Sequence, residues 1–222
     1  MSILFVSKTT PWCQAAERFI RASGLPITVA HGERHDPLPD VVREWSGDYV
    51  ISFLCAWVLP ESVLSRARIA AINFHPGPPE HPGIGCYNFA IYQERKEYGV
   101  TCHHMASRVD TGRIIDVLRF PMLPQDTVGL LKDRSMAALL TLYYQVIGRL
   151  LTAQPLPESQ ETWQRQPYTR RELDALCRVT PDMPPDEVAR RVRATYYPGY
   201  PGPYLESGGQ RHPLQPDERV EA

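Results

Sequence analysis

Four short apolar runs, ILFVS (3–7), ITVAHG (27–32), YVISFLCAW (49–57) and IAAINF (69–74), are the feature that most restricts this chain. Between them lie helix-like stretches: PWCQAAERFIRASG (11–24) ending at Gly24, PDVVREWSG (39–47) closed by Gly47, and PESVLSRA (60–67) with Pro at a first-turn position. Strand and helix alternating in this rhythm predict an α/β, doubly wound, Rossmann-like layer, a mostly parallel sheet with helices on both faces. The run 49–57 is apolar on both faces, as the middle of such a sheet requires.

Beyond residue 75 the pattern continues with a short helix over 86–94 and a strand in YGVTCHHM (98–105). A turn in SRVDTG (107–112) leads to a returning strand over 113–122. The longest helix is predicted over 126–151 with Asp126 as its N-cap, packing across the sheet. From about residue 154 periodicity fades; two short helices, 170–177 and 185–195, precede the turn-rich YYPGYPGPYLESGGQRHPL. The expected organisation is a catalytic domain over 1–153 and a C-terminal extension over 154–222 packing on it. Disorder is expected only in the last half-dozen residues.

Twenty-four basic against 25 acidic residues leave a net charge of −1, which argues against a broad nucleic-acid-binding face. Arg far outnumbers Lys, which fits phosphate recognition or a base-composition bias in the source; the bias is the simpler reading. Five cysteines, odd in number and without CxxC spacing, predict a reduced, cytoplasmic chain with neither a disulfide framework nor a zinc knuckle. MSILFVSKTTP lacks the flank and apolar stretch of a signal peptide, and no run suits a membrane span.

The chemistry concentrates in INFHPGPPEHPGIGCYNFAIY (72–92), where a buried strand stops on Asn73 and His75 before a loop rich in Pro and Gly. Ligands of such sheets bind at the carboxyl ends of the strands, where this pair lies. Asn offers an amide donor to a developing oxyanion, His transfers protons near neutral pH, and Asp110 can orient or stabilise an imidazole. No GxSxG is present, so attack by the substrate itself is favoured over covalent catalysis. On the next strand Thr101 and His103 share one face, and Cys102 and His104 the other. The adjacent histidines therefore cannot chelate a metal together.

These motifs, Asn73-Phe74-His75-Pro76, then Gly99-Val100-Thr101-Cys102-His103, then Asp110-Thr111-Gly112, resemble those of the formyltransferases that use 10-formyltetrahydrofolate. That family includes glycinamide ribonucleotide, methionyl-tRNA and nucleotide-sugar formyltransferases, and the resemblance is close over about residues 49–135. It implies that Asn73, His75 and Asp110 are catalytic, with Asn73 and His75 facing the reacting carbon. It also implies that SFLCAWVLP (52–60) surrounds the pterin through Phe53, Leu54, Cys55, Ala56, Val58 and Leu59, with Asp110 closing the other side. Pro76, Gly77, Gly83, Tyr87, Asn88, Tyr92 and His103 fall on the acceptor side, His103 as support behind the catalytic groups.

Three features separate the branches. Neither the basic surface nor the larger C-terminal barrel of the methionyl-tRNA enzymes is expected here, and Gly77 stands where glycinamide ribonucleotide enzymes favour Ser. Its HPGPPEHPGIGCYNFAIY and RRVRATYYPGYPGPYL look most like the sugar N-formyltransferases. The implied acceptor is a nucleotide-linked 4-amino-4,6-dideoxy hexose, with 10-formyltetrahydrofolate as co-substrate, no metal and a homodimer. A small non-sugar amine, methionyl-tRNA or a non-catalytic folate-binding role are the alternatives. In the tail, Arg190, Arg191 and Arg193 read as a solvated helix face or as phosphate contacts, and Tyr196, Tyr197, Tyr200 and Tyr204 as packing or as ligand stacking.

Overall fold

The computed structural model describes residues 1–216; the disorder expected of the last half-dozen residues lies outside them. A six-stranded sheet is built from β1 (Ile3–Ser7), β2 (Ile27–His31), β3 (Gly47–Phe53), β4 (Ala67–His75), β5 (Glu97–His104) and β6 (Ile114–Pro121). Its order is β2-β1-β3-β4-β5-β6. The first four strands are parallel, whereas β5 runs antiparallel to both β4 and β6. Because β1 lies between β2 and β3, the winding reverses there. A crevice opens outside the carboxyl ends at such a point.

Side-chain alternation sends successive residues of each central strand into two different cores. Ile3, Phe5, Ile51, Phe53, Ile72 and Phe74 pack beneath α1 (Pro11–Arg21) and α5 (Val128–Leu151). Leu4, Val6 and Val50 face α2 (Asp40–Arg43) and α3 (Glu61–Leu64) through Val42, Val63 and Leu64. These two helices are shorter than the spacing predicts. Gly47 does not close a helix but begins β3 opposite Ala67, where a Cβ would meet the Trp45 ring at 2.4 Å. Two such short helices leave the carboxyl half of their face uncovered. There the rows turn polar, Val50 giving way to Ser52 and Ala71 to Asn73.

Strand β3 stops at Phe53, earlier than predicted, because Leu54 takes a left-handed φ of 53° and turns the chain into a loop. The N-cap of α5 is Thr127 rather than Asp126; the Thr127 hydroxyl accepts from Leu130 N–H at 3.3 Å. Asp126 instead accepts from Leu123 N–H at 2.8 Å and pairs with Arg134 at 2.6 Å. After α4 (Cys86–Tyr92) and α5, the chain forms α6 (Arg170–Cys177), β7 (Arg178–Val179), α7 (Pro185–Thr195), β8 (Tyr204–Ser207) and β9 (Gln210–Pro213). The three small strands make a second sheet, which the turn-rich composition conceals. Among the described residues no helix is long and apolar enough to cross a membrane.

Candidate active site

Register brings the first three polar groups into one row. Ser52 pairs with Asn73 across β3 and β4, and Asn73 with His103 across β4 and β5. The Ser52 hydroxyl donates to Asn73 Oδ1 at 2.8 Å, so the amide turns its NH2 toward His103 Nε2, 3.1 Å away. His103 Nδ1 lies 2.8 Å from the His104 carbonyl, which can only accept, so Nδ1 carries the proton and Nε2 is free to accept from Asn73. One amide N–H of Asn73 is used in this way, and the other remains for a ligand.

Asp110 joins the row to His75. Its residue adopts a left-handed φ of 49°, a conformation Asp tolerates better than most residues. Its Oδ1 lies 3.4 Å from His103 Nε2 and its Oδ2 3.2 Å from His75 Nδ1, and Oδ2 also accepts from Gly83 N–H at 2.8 Å. Burial alone would raise the Asp110 carboxyl, but His75, the largest opposing cause, and the Gly83 N–H outweigh it and hold the group down at about 2. His75 faces acceptors at both nitrogens, Asp110 on one side and the His81 carbonyl at 3.1 Å on the other. Burial pushes this ring below its ordinary value, while both acceptors pull it up. A second proton therefore gains a hydrogen bond that burial opposes.

Two glycines are needed for this geometry. A Cβ at Gly77 would stand 2.6 Å from His75 Nε2, and one at Gly83 would meet the Tyr168 backbone at 2.5 Å. Gly83 also has a φ of 83°, left-handed and unstrained only for Gly.

The cleft above this cluster has a volume of about 830 Å³. Of the residues predicted on the folate side, Cys55, Ala56, Val58, Leu59 and Asp110 line it. Phe53 does not, being fully buried, and Leu54 packs against the same core. On the acceptor side, Gly83 and His103 line the cleft, together with Asn73. Pro76 and Gly77 lie behind it, their carbonyls accepting from Tyr98 OH at 3.1 Å and Thr101 OH at 2.8 Å. His75 is only 6% exposed and reaches the cleft through Asp110, so of the two strand-end residues only Asn73 faces it directly.

Tyr87, Asn88 and Tyr92 correct the expectation that they meet the acceptor. Tyr87 packs on Tyr98, Asn88 Nδ2 donates to the Ala194 carbonyl at 2.7 Å, and Tyr92 OH donates to Glu187 at 2.9 Å. The tail arginines are likewise engaged elsewhere. Arg190 and Arg191 pair with Glu187, and Arg193 donates to the Pro124 carbonyl. Tyr197 packs against Tyr200 and under Lys132.

Lys8, Arg34, Arg108 and Arg170 also line the cleft, and Asp110 is the one acid among the lining residues. They come from four separate segments, so no local motif marks them. Trp57, within the 52–60 stretch expected at the pterin, completes an apolar wall with Ile84, Met105, Val109 and Tyr168, which sequence reasoning did not assign. Among the described residues no group of three His, Cys, Asp or Glu side chains is placed to hold a metal ion.

His81 supports the site from beneath. It is 1% exposed, its Nε2 lies 3.2 Å from Gln93 Oε1, and its Nδ1 has no hydrogen-bond partner among the described residues. Burial is the main cause that depresses this ring from 6.5 to about 4. The unfolded chain therefore binds a proton that the folded chain refuses between those values, so stability is complete above pH 6.5 and falls as pH drops toward 4. The expected loss is about 3 kcal/mol. Urea unfolding across this pH range measures it, and His81→Gln is expected to flatten the dependence.

A family model described as formyl transferase matches residues 6–147. A methionyl-tRNA formyltransferase of Geobacillus thermodenitrificans is 27% identical over 202 residues, 90% of this chain, and the chain spans 62% of that protein's length. The structure superposes on a sugar N-formyltransferase from Shewanella sp. FDAARGOS_354 with a TM-score of 0.80 at 18% identity, covering 97% of this chain and 96% of that one. An N-formyltransferase from Helicobacter canadensis, in complex with folinic acid and dTDP-3-aminofucose, gives a TM-score of 0.74 at 15% identity, covering 95% and 85%. At these identities the two structures are alike in fold.

Proposed function

We propose that this chain, which belongs to the formyl transferase family, moves a formyl group from 10-formyltetrahydrofolate to the amine of a nucleotide-linked amino sugar. The observation that carries the reaction is the continuous row Ser52, Asn73, His103 and Asp110 at the floor of one cleft, with His75 behind Asp110. The nucleotide-sugar acceptor is supported by Lys8, Arg34, Arg108 and Arg170 around that cleft, since phosphates need cationic partners. It is supported too by the match along nearly the whole chain to a sugar N-formyltransferase fold.

The residues present suit a folate. Ala56, Val58, Ile84 and Val109 offer an apolar slot, and the backbone of the 55–59 loop offers donors and acceptors for a pterin edge. 10-Formyltetrahydrofolate supplies the formyl carbon, and its N10 ends with the proton that the acceptor amine loses. The free N–H of Asn73 stabilises negative charge growing on the formyl oxygen. Asp110, facing the cleft, takes the amine proton and shares it with His75 Nδ1. His103 keeps the Asn73 amide aimed. In the same reading residues 1–153 form the catalytic unit, and the described residues from 154 onward form an extension on it that lends Pro167, Tyr168, Thr169 and Arg170 to the cleft.

The test is a mass-spectrometric assay in which 10-formyltetrahydrofolate is offered with GDP-, UDP- and dTDP-linked amino sugars, glycinamide ribonucleotide, methionyl-tRNA and small amines. A formylated sugar nucleotide is the expected product. Formylation confined to another acceptor replaces the sugar assignment, and no transfer to any amine removes the reaction itself.

A further inference from the structure

Residues 155–169 cross from the end of α5 to the head of α6 as an extended strap. Its backbone is bonded to the Pro/Gly loop after β4: Gln164 N–H donates to the Pro79 carbonyl at 3.0 Å and Tyr168 N–H to Pro82 at 2.9 Å, while Tyr168 accepts from Ile84 N–H at 3.0 Å. Arg119 on β6 pairs with Glu80 of the loop and Glu161 of the strap, clamping the two together.

This lacing puts Trp163 against the imidazole pair. Its ring meets His103 at 5.1 Å and 85°, and His75 at 6.0 Å and 71°, both edge-on. Its indole N–H donates to the Gly112 carbonyl at 2.7 Å. Gly112 ends the Asp110 turn and is packed so closely that a Cβ there would stand 1.8 Å from the His104 carbonyl, the group that orients His103. Trp163 does not line the cleft. It meets the cluster from outside the cleft.

We propose that Trp163 is a positioning residue: its ring closes the back of the His75–Asp110–His103 cluster against water, and its N–H fixes the turn that lets one carboxylate meet both imidazoles. The inference rests on the formyl-transfer reading for its kinetic test but not for its structural one. Burial is the main cause that holds His75 low, so water admitted behind the ring returns it toward its ordinary value. Of the titratable groups on the elements packed around the pair, Asp110 and His103 are the two that act on His75, the first favouring its charged form and the second opposing it. Substituting Trp163 alters neither of them directly.

The experiment compares wild type, Trp163→Phe and Trp163→Ala by kcat and KM across pH, and by NMR titration of the His75 and His103 rings. Trp163→Ala is expected to lower kcat by about 10- to 100-fold through misplacement of the cluster, with KM for both substrates within about twofold. The acid limb of its kcat profile and the His75 titration should both move to higher pH. Trp163→Phe keeps the wall and loses only the N–H, so the titration should stay near wild type while kcat falls. Unshifted rings with kcat within twofold in Trp163→Ala, or a loss confined to KM, overturns the proposal. If Trp163→Ala does not fold, Trp163→Phe decides, and an undiminished kcat there overturns it. Absence of transfer by wild type overturns the proposed reaction instead, and the ring titrations still judge Trp163.

Discussion

Replacing Asp110 by Asn is expected to lower kcat for formyl transfer by about 10³- to 10⁴-fold, the upper range for loss of a group that handles a proton. The amide has the carboxylate's shape but not its two acceptor oxygens. In the protein, Oδ2 serves both the Gly83 N–H and His75 Nδ1, and Oδ1 faces His103 Nε2. An Asn there can keep its oxygen on Gly83 and His75 only by turning its NH2 onto His103 Nε2, where it competes with the Asn73 amide. It also cannot take a proton from an amine. Because Asp110 faces the cleft through its carboxylate alone, KM should change little, and single-turnover measurement at saturating substrates isolates the loss.

The same substitution carries a stability signature. Asp110 is held at about 2 against an ordinary 3.8, so the folded state gains from its ionised form above pH 3.8 and loses that gain as pH falls toward 2. The contribution is about 2 kcal/mol at neutral pH. Unfolding curves of wild type and Asp110→Asn should therefore differ by about that amount at pH 7 and converge in strong acid. Equal activity of the two proteins would remove Asp110 from the chemistry altogether.

How far the chain could be read in advance depended on the range of the physics involved. The central strands were visible because a strand buried on both faces must be an apolar run, the edge strands β2 and β6 because their apolar residues recur beside turn signals, and the site motifs because three short polar sequences interrupt those runs in order. Lengths were less readable. The helices over 40–43 and 61–64 stop early because Gly47 and Ala67 are claimed by strand pairing, a tertiary contact that local spacing does not encode. Asp126 had the chemistry of an N-cap, as Thr127 has, but Arg134 on the next turns draws its carboxylate away. The hairpin of β8 and β9 did carry a local sign, Gly208-Gly209, both at positive φ, as a tight two-residue turn requires. It was obscured by the prolines before it.

The site divides along the same line. Asn73, His103 and Asp110 could be named from motifs, yet the order in which they touch follows from register, since Ser52, Asn73 and His103 are cross-strand neighbours. Tyr87, Asn88 and Tyr92 sit on a helix beside the loop and looked available to a ligand, but Asn88 and Tyr92 bond to α7 of the extension and Tyr87 packs on Tyr98. The four cleft cations and Trp163 lie 26 or more residues apart in most pairs and meet only through the fold, so spacing carries no trace of them.

Asn73→Ala is the second large effect, an expected fall in kcat of about 10²- to 10³-fold, typical of removing one donor to a developing oxyanion. Three variants separate that role from a structural one. Asn73→Asp keeps the size but offers no N–H, and should be as inactive as Asn73→Ala at a pH where it is ionised. Ser52→Ala leaves the amide in place but removes one of the two groups that fix its orientation, His103 being the other, so the amide can flip more readily and present oxygen where the donor belongs. If the two amide orientations then become comparable in energy, the productive one is still populated, so its loss should be smaller, about tenfold or less. A Ser52→Ala enzyme as impaired as Asn73→Ala would mean that the hydroxyl itself meets the substrate. An Asn73→Asp enzyme near wild type would mean that the charge on the formyl oxygen is stabilised from elsewhere in the cleft, with His103 Nε2, 3.1 Å from the amide, the next donor in line once protonated.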